Sequence, residues 1–145
     1  MIRRIGEPVQ SDRKYIRRPG AYAVLIRHGS VLLTHQEEPE PEFQLPGGGI
    51  DPGEHPIPAL YREVFEETGW KIDRPTRLGA FRRFTYMPEY DLWAEKLCHV
   101  FIARPVLQHG PPTEAGHTAI WMSPDMAIRA VENPGDAMFL SQVFR

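Results

Sequence analysis

The chain has 145 residues, 41% of them hydrophobic and 25% charged, with a net charge of −2. That length fits one domain able to bury about two thirds of its unfolded-chain surface, and no apolar run approaches the length of a membrane-spanning helix. The lone cysteine, Cys98, excludes an intrachain disulfide and a zinc site built on thiolates.

The first segment, MIRRIGEPVQ, lacks the apolar core of a signal peptide, which makes cytoplasmic residence the default expectation. Residues 1–20 are locally basic, with Arg3, Arg4, Arg13, Lys14, Arg17 and Arg18 against Glu7 and Asp12. They read as a basic extension ending in a turn at Pro19-Gly20, ahead of one domain over residues 21–145. Such an extension can guide a polyanion, or simply be solvated or pair with acidic groups elsewhere. Tyr22 to Ile26 and Val31 to Thr34 are apolar runs split by His28-Gly29-Ser30, the pattern of a hairpin. Glu37 to Glu42 alternates acids with prolines and reads as an exposed loop.

Phe43 to Pro46 reads as a brief strand entering an open loop, Gly47-Gly48-Gly49, where backbone can approach closely and offer carbonyls. Asp51 to Glu54 is a turn, and Pro56 and Pro58 suit a helix start, with the helix running from about Ile57 to Thr68 and stopped by Gly69. Leu78 to Tyr86 and Leu97 to Ala103 read as strands, Met87 to Glu95 as a connection, and Gln108 to Ala115 as a Gly/Pro-rich loop. Thr118 to Met122 reads as a last strand, and Ser123-Pro124-Asp125 as a capped helix start. Strands interleaved with two main helices imply an α/β layered architecture. The histidines (His28, His35, His55, His99, His109, His117) show no metal-ligand spacing and read as surface or packing residues, with His117 set apart by its place near Glu114.

The charged face of the first helix carries the chemistry. At about 100° per residue, Glu63, Glu66 and Glu67 share one face, while Leu60, Tyr61, Val64 and Phe65 lie on another. Carboxylates at i, i+3 and i+4 repel one another. Residues 37–67 hold nine acidic groups against Arg62 alone, so one guanidinium cannot neutralise Glu54, Glu63, Glu66 and Glu67 together. A bound cation would, and a donor set made only of oxygens favours Mg²⁺ or Mn²⁺ over zinc. The plainer reading is a solvated helix face.

The spacing decides against that plainer reading. Gly48, five residues, Glu54, seven residues, then Arg62-Glu63-Val64-Phe65-Glu66-Glu67-Thr68-Gly69 resembles the Nudix box of the Nudix hydrolases, with seven fixed residues in place. At average usage a chance match in a chain this long is of order one in a million. Trp70 departs from the aliphatic residue usual at the last position. The resemblance implies an α/β/α sandwich with a mixed sheet and metal-dependent hydrolysis of a phosphoanhydride in a nucleoside diphosphate linked to another moiety. Carried over from the box, Glu63 and Glu67 are metal ligands, Glu66 a ligand or general base, and the Gly47 carbonyl a backbone ligand. Arg62 orients the carboxylates and pairs with Glu54. Glu114 sits where some members place a further catalytic carboxylate.

Tyr86, Tyr90 and Trp93 are candidates to stack on a base. The expected partner is a small-molecule nucleotide rather than nucleic acid or membrane, and family members often pair as dimers. Two alternatives stand beside this reading. One is a nucleotide-binding sensor without turnover, against which the full set of box carboxylates argues. The other is a hydrolase of RNA 5′ ends, whose binding would weaken steeply with salt.

Overall fold

Alternating burial along the central strands sets the architecture. In the computed structural model, which describes residues 1–145, the elements run β1 (Arg3–Arg4), β2 (Ile16–Arg27), β3 (Ser30–Gln36), β4 (Glu42–Gln44), β5 (Gly47–Gly49), α1 (Pro56–Thr68), β6 (Trp70–Met87), β7 (Leu92–Gln108), β8 (His117–Met122), α2 (Pro124–Ala130) and α3 (Pro134–Val143). One face of the sheet presents Ala21, Ala23, Leu25, Leu32 and Phe101 to Leu60 and Val64 of α1. The other presents Val24, Val31, Leu33, Phe81 and Val100 to Ala127, Phe139 and Leu140 of α2 and α3. Period-two side-chain alternation therefore feeds two cores from the same strands. Helices on both faces make three layers. Full burial of Leu60 and Val64 contributes about 1.5–3 kcal/mol each, which anchors α1 and so aims its charged face.

The strand order is β1-β6-β7-β2-β3-β4, with β5 beside β2 and β8 beside β3. β1 with β6 and β2 with β7 are parallel, and the other pairings are antiparallel, so the sheet is mixed. The β2–β3 hairpin turns through His28 and Gly29, both at positive φ, the geometry that a two-residue hairpin requires.

Four local expectations change. Pro19 and Gly20 do not form a turn: β2 begins at Ile16, and its long parallel pairing with β7 absorbs both residues into strand. The glycine run is not an open loop but strand β5, paired through Gly47, Gly48 and Gly49 with Tyr22, Ala21 and Gly20. The connection expected over Met87 to Glu95 shrinks to residues 88–91, because β6 and β7 pair along almost their whole lengths and extend well beyond the apolar stretches that marked them. Register shifts between Asp73/Thr76 and Arg77/Gly79 accommodate Pro75 and Gly79, which had disguised the strand. A third helix, α3, follows α2. Asn133 caps it by accepting from the Gly135 N–H at 2.9 Å with Pro134 in its first turn, a helix start that also reads as a turn sequence.

α1 starts at Pro56, and the His55 ring nitrogen accepts from the Ile57 N–H at 3.2 Å. It stops where Gly69 turns left-handed at φ 76° and donates to the Phe65 carbonyl at 2.8 Å. A Cβ on Gly69 would collide with the Gly110 carbonyl, so this stop also seats the 109–116 loop beside the helix end.

Candidate active site

Arg62 is the hub of the charged face of α1. Its guanidinium grips Glu54 bidentately, Nε to Oε2 at 3.0 Å and Nη2 to Oε1 at 2.9 Å. It also donates to Glu63 at 2.9 Å, to Glu66 at 3.5 Å and to the Gly49 carbonyl at 3.1 Å. A planar fork suits this arrangement, since its donors are fixed in the plane of the carboxylates it meets. The Arg62 hydrogen bonds, with a further one from the Asp51 N–H, hold the Glu54 carboxyl down to about 2. The expected Arg62–Glu54 pair is present. Arg62 stops short of Glu67.

Glu67 is 5% exposed and draws on other donors. Its Oε1 accepts from the Gly47 N–H at 3.2 Å and the Thr34 hydroxyl at 3.4 Å, and its Oε2 lies 3.2 Å from His117 Nε2. Burial pushes the Glu67 carboxyl up against the opposing pull of His117. The hydrogen bond to Glu67 raises His117 to about 9. Burial, partly offset by Arg62, also lifts Glu63 to about 7. A Cβ on Gly48 would strike the Glu63 carboxylate, so glycine there lets the β5 backbone close over that side chain. Three carboxylates held together with only partial compensation are the signature of a site built for positive charge.

The 109–116 loop adds the remaining acid. The Glu66 carbonyl accepts from the Thr113 N–H at 2.9 Å and the Glu114 N–H at 3.0 Å, which fastens the loop to the last turn of α1. Glu114 thereby joins two groups, one with Glu67 and His117 and one with Glu63 and Glu66, each with its ligand atoms within 4.8 Å of one another. This donor set is all carboxylate apart from one imidazole, and it fits a hard divalent cation. His117 corrects the reading of every histidine as a surface or packing residue. The only sequence signal was its nearness to Glu114, because the partner that defines it lies fifty positions earlier. At Gly47 the contact is made by the N–H, to Glu67, alongside the role expected for its carbonyl.

Glu63, Glu67, Glu114 and His117 open onto a cleft of about 830 Å³ that also takes in Tyr86 and Tyr90 from the β6–β7 hairpin. That volume suits a nucleotide-sized ligand. The Tyr86 hydroxyl donates to Asp91 across the hairpin turn, and the Arg18 guanidinium lies 4.5 Å over the Tyr90 ring. Trp93 stands apart from the cleft. It packs edge-on to Tyr15 at 6.3 Å, tilted against Tyr86 at 5.2 Å, and under Arg13 at 4.5 Å.

Helices on both faces of a mixed sheet define an α/β/α protein, and its carboxylate cluster could hold a cation. The NUDIX domain family model matches residues 16–143, and the chain belongs to that family. An ADP-ribose pyrophosphatase of Bacillus subtilis is 33% identical over 98 residues, covering 64% of this chain and 50% of that protein. An RNA pyrophosphohydrolase of Cereibacter sphaeroides is 42% identical over 59 residues, covering 39% and 36%. The chain thus spans half or less of the length of these curated relatives. Among solved structures, a NUDIX hydrolase from Nitrosomonas europaea superposes with a TM-score of 0.73 at 20% identity, over 89% of each chain. A MutT NUDIX hydrolase from Burkholderia pseudomallei does so with a TM-score of 0.68 at 23% identity, over 88% of this chain and 98% of that one. Both establish the shared fold.

Proposed function

We propose that this chain is a divalent-cation-dependent hydrolase that cleaves a phosphoanhydride in a nucleoside diphosphate linked to another moiety, by water attack on phosphorus. The observation that carries the reading is the pair of carboxylate clusters sharing Glu114 at the mouth of a nucleotide-sized cleft. Glu63, Glu66, Glu67 and the Gly47 carbonyl would hold Mg²⁺ or Mn²⁺. Bound there, such an ion neutralises phosphate oxygens and lowers the pKa of a coordinated water.

The chain's own residues supply orientation. Arg62, braced by Glu54, fixes Glu63 and Glu66 from one side. His117 and the Gly47 N–H fix Glu67 from the other. Glu114, on a loop tied to α1, is free to take a proton from water or to complete the ligand set, and Tyr86 and Tyr90 offer flat partners for a base. The names of the relatives, a pyrophosphatase acting on ADP-ribose and one acting on RNA, agree with anhydride cleavage and differ on substrate.

A panel of nucleoside triphosphates, nucleotide sugars, ADP-ribose, dinucleoside polyphosphates and 5′-triphosphorylated RNA, assayed with Mg²⁺ and again with EDTA, tests the reading. Release of a nucleoside monophosphate that EDTA abolishes is the expected result. Tight binding with no product from any member would indicate a sensor. The same proposal includes one Nudix domain with a basic amino-terminal segment, cytoplasmic residence and a homodimer. Fractionation and sedimentation test the last two. No helix is long and apolar enough to cross a membrane.

A further inference from the structure

The wall of the cleft away from α1 carries a second like-charge cluster, opposite in sign. Register places Arg18 of β2 beside Lys96 of β7, and Lys96 beside Arg83 of β6. Side chains that are direct cross-strand partners point to the same face of the sheet, so the three cations form one row across three adjacent strands. Like charges directly opposite one another destabilise a sheet. The row begins where the core ends: the next matched row is Gly20, Cys98 and Phe81, all buried. All three cations are partly buried, and all three line the cleft.

Compensation is uneven along the row. Arg83 is paired, with Glu7 at 3.1 Å and Glu42 at 3.9 Å. Lys96 has no ion-pair partner, and Arg18 rests on the Tyr90 ring, an interaction that holds the guanidinium flat without neutralising it. Two half-buried cations side by side and without an ion pair, although Glu7 and Asp136 lie near enough to Lys96 to feel its charge, face the same space as the carboxylate cluster and leave the cleft with two poles. A ligand matched to both poles carries phosphates for the metal end and a further anionic group for the row.

We propose that Arg18 and Lys96, supported by Arg83, form an anion subsite that recognises a phosphate beyond the two joined by the scissile bond. The proposal rests on the hydrolase reading and narrows it. The substrate class becomes small nucleotides with an additional terminal phosphate, of which nucleoside triphosphates are the simplest, over nucleoside diphosphates linked to a neutral sugar. Tyr90 belongs to the same subsite because it fixes Arg18, in addition to any stacking on a base.

The test has two arms. In the first, inorganic tripolyphosphate is titrated into the protein by calorimetry at low salt without divalent metal. Arg18→Gln and Lys96→Gln should each weaken binding about tenfold, the size of one charge-assisted contact, and Lys96→Arg should restore most of it. Arg74→Gln, an exposed cation outside the cleft, should change nothing. Equal affinity in wild type and both cleft variants, with circular dichroism showing them folded, would overturn the subsite. In the second arm, with Mg²⁺ present, each glutamine variant should lower the ratio of kcat/KM for a nucleoside triphosphate over ADP-ribose about tenfold. An unchanged ratio would overturn the specificity claim. Absence of any turnover would overturn the hydrolase reading while leaving the first arm to decide the subsite. If the variants weakened binding only of a 5′-triphosphorylated oligonucleotide, the row would serve an RNA backbone and the small-nucleotide assignment would fall.

Discussion

Glu67 and Asp136 are carboxylates of nearly equal burial, 5% and 4% exposed, on helices packed against opposite faces of one sheet. They even pin the same stretch of backbone: Glu67 accepts from the Gly47 N–H and Asp136 from the Leu45 N–H, both at 3.2 Å. Their company differs. Glu67 has a hydroxyl, an imidazole and the acids Glu63 and Glu114 beside it, whereas Asp136 accepts that one hydrogen bond and feels a mixed set of charges, Arg83, Lys96 and Glu42. Burial with a single donor drives Asp136 up to about 7, the condition of a carboxyl that serves as a structural pin. Burial beside other acids and an imidazole whose pKa is raised places Glu67 in the candidate site. Exposure alone does not separate the two; the acids gathered round Glu67 do.

The comparison breaks first on activity. Glu67→Gln should lower kcat at least about a hundredfold, more than the 10–100-fold typical of removing a group that merely supports a metal ligand, while circular dichroism shows the fold intact. Asp136→Asn should keep turnover within about twofold, since the amide oxygen still accepts from Leu45 and the side chain makes no hydrogen bond to the carboxylate cluster. Loss of activity in both would mean that the two carboxylates do the same work. His117→Gln comes next, with a fall of about tenfold in metal affinity or kcat, because the imidazole positions Glu67. A profile indistinguishable from wild type would remove His117 from the site.

Asp136 also makes a prediction about pH. Its folded pKa, about 7, lies above the unfolded value of 3.8, so between those values the unfolded chain has released a proton that the native state keeps. The Asp136 contribution to stability therefore falls as pH rises from about 4 to about 7, and is constant above that. Urea melts at pH 5 and 7 should show a smaller loss of stability over that interval in Asp136→Asn than in wild type. An equal loss would show that Asp136 is ionised in the folded protein throughout. The smallest effect is expected far from both carboxylates. Ser123 caps α2 by accepting from the Met126 N–H at 3.3 Å, and Ser123→Ala should cost about 1 kcal/mol in the same melts with activity unchanged.

Legibility in the sequence followed the distance between partners. Glu54, Arg62, Glu63, Glu66 and Glu67 lie within fourteen consecutive positions, and helical periodicity alone placed most of them on one face. His117 joins Glu67 only because β8 pairs with β3 and brings its first residue over α1. The Arg18–Lys96–Arg83 row depends on the register of the β6–β7 hairpin and of its parallel pairing with β2, far earlier in the chain, which no local pattern encodes. Trp93 read as a candidate for stacking beside Tyr86 and Tyr90, but Tyr15 and Arg13, about eighty positions earlier, pack on it outside the cleft. The hairpin, the glycine stop of α1 and the Ser123 cap were legible because each is fixed by two or three adjacent residues. The full length of the β6–β7 pair was not, since Pro75, Gly79 and Pro105 interrupt it and its outer stretches owe their strand geometry to each other.

Binding of Mn²⁺, measured by calorimetry on wild type, Glu67→Gln and Asp136→Asn at one pH, tests the central claim most directly. Glu67→Gln should lose at least about tenfold in affinity while Asp136→Asn titrates like wild type. Equal Mn²⁺ affinity in wild type and Glu67→Gln would contradict it.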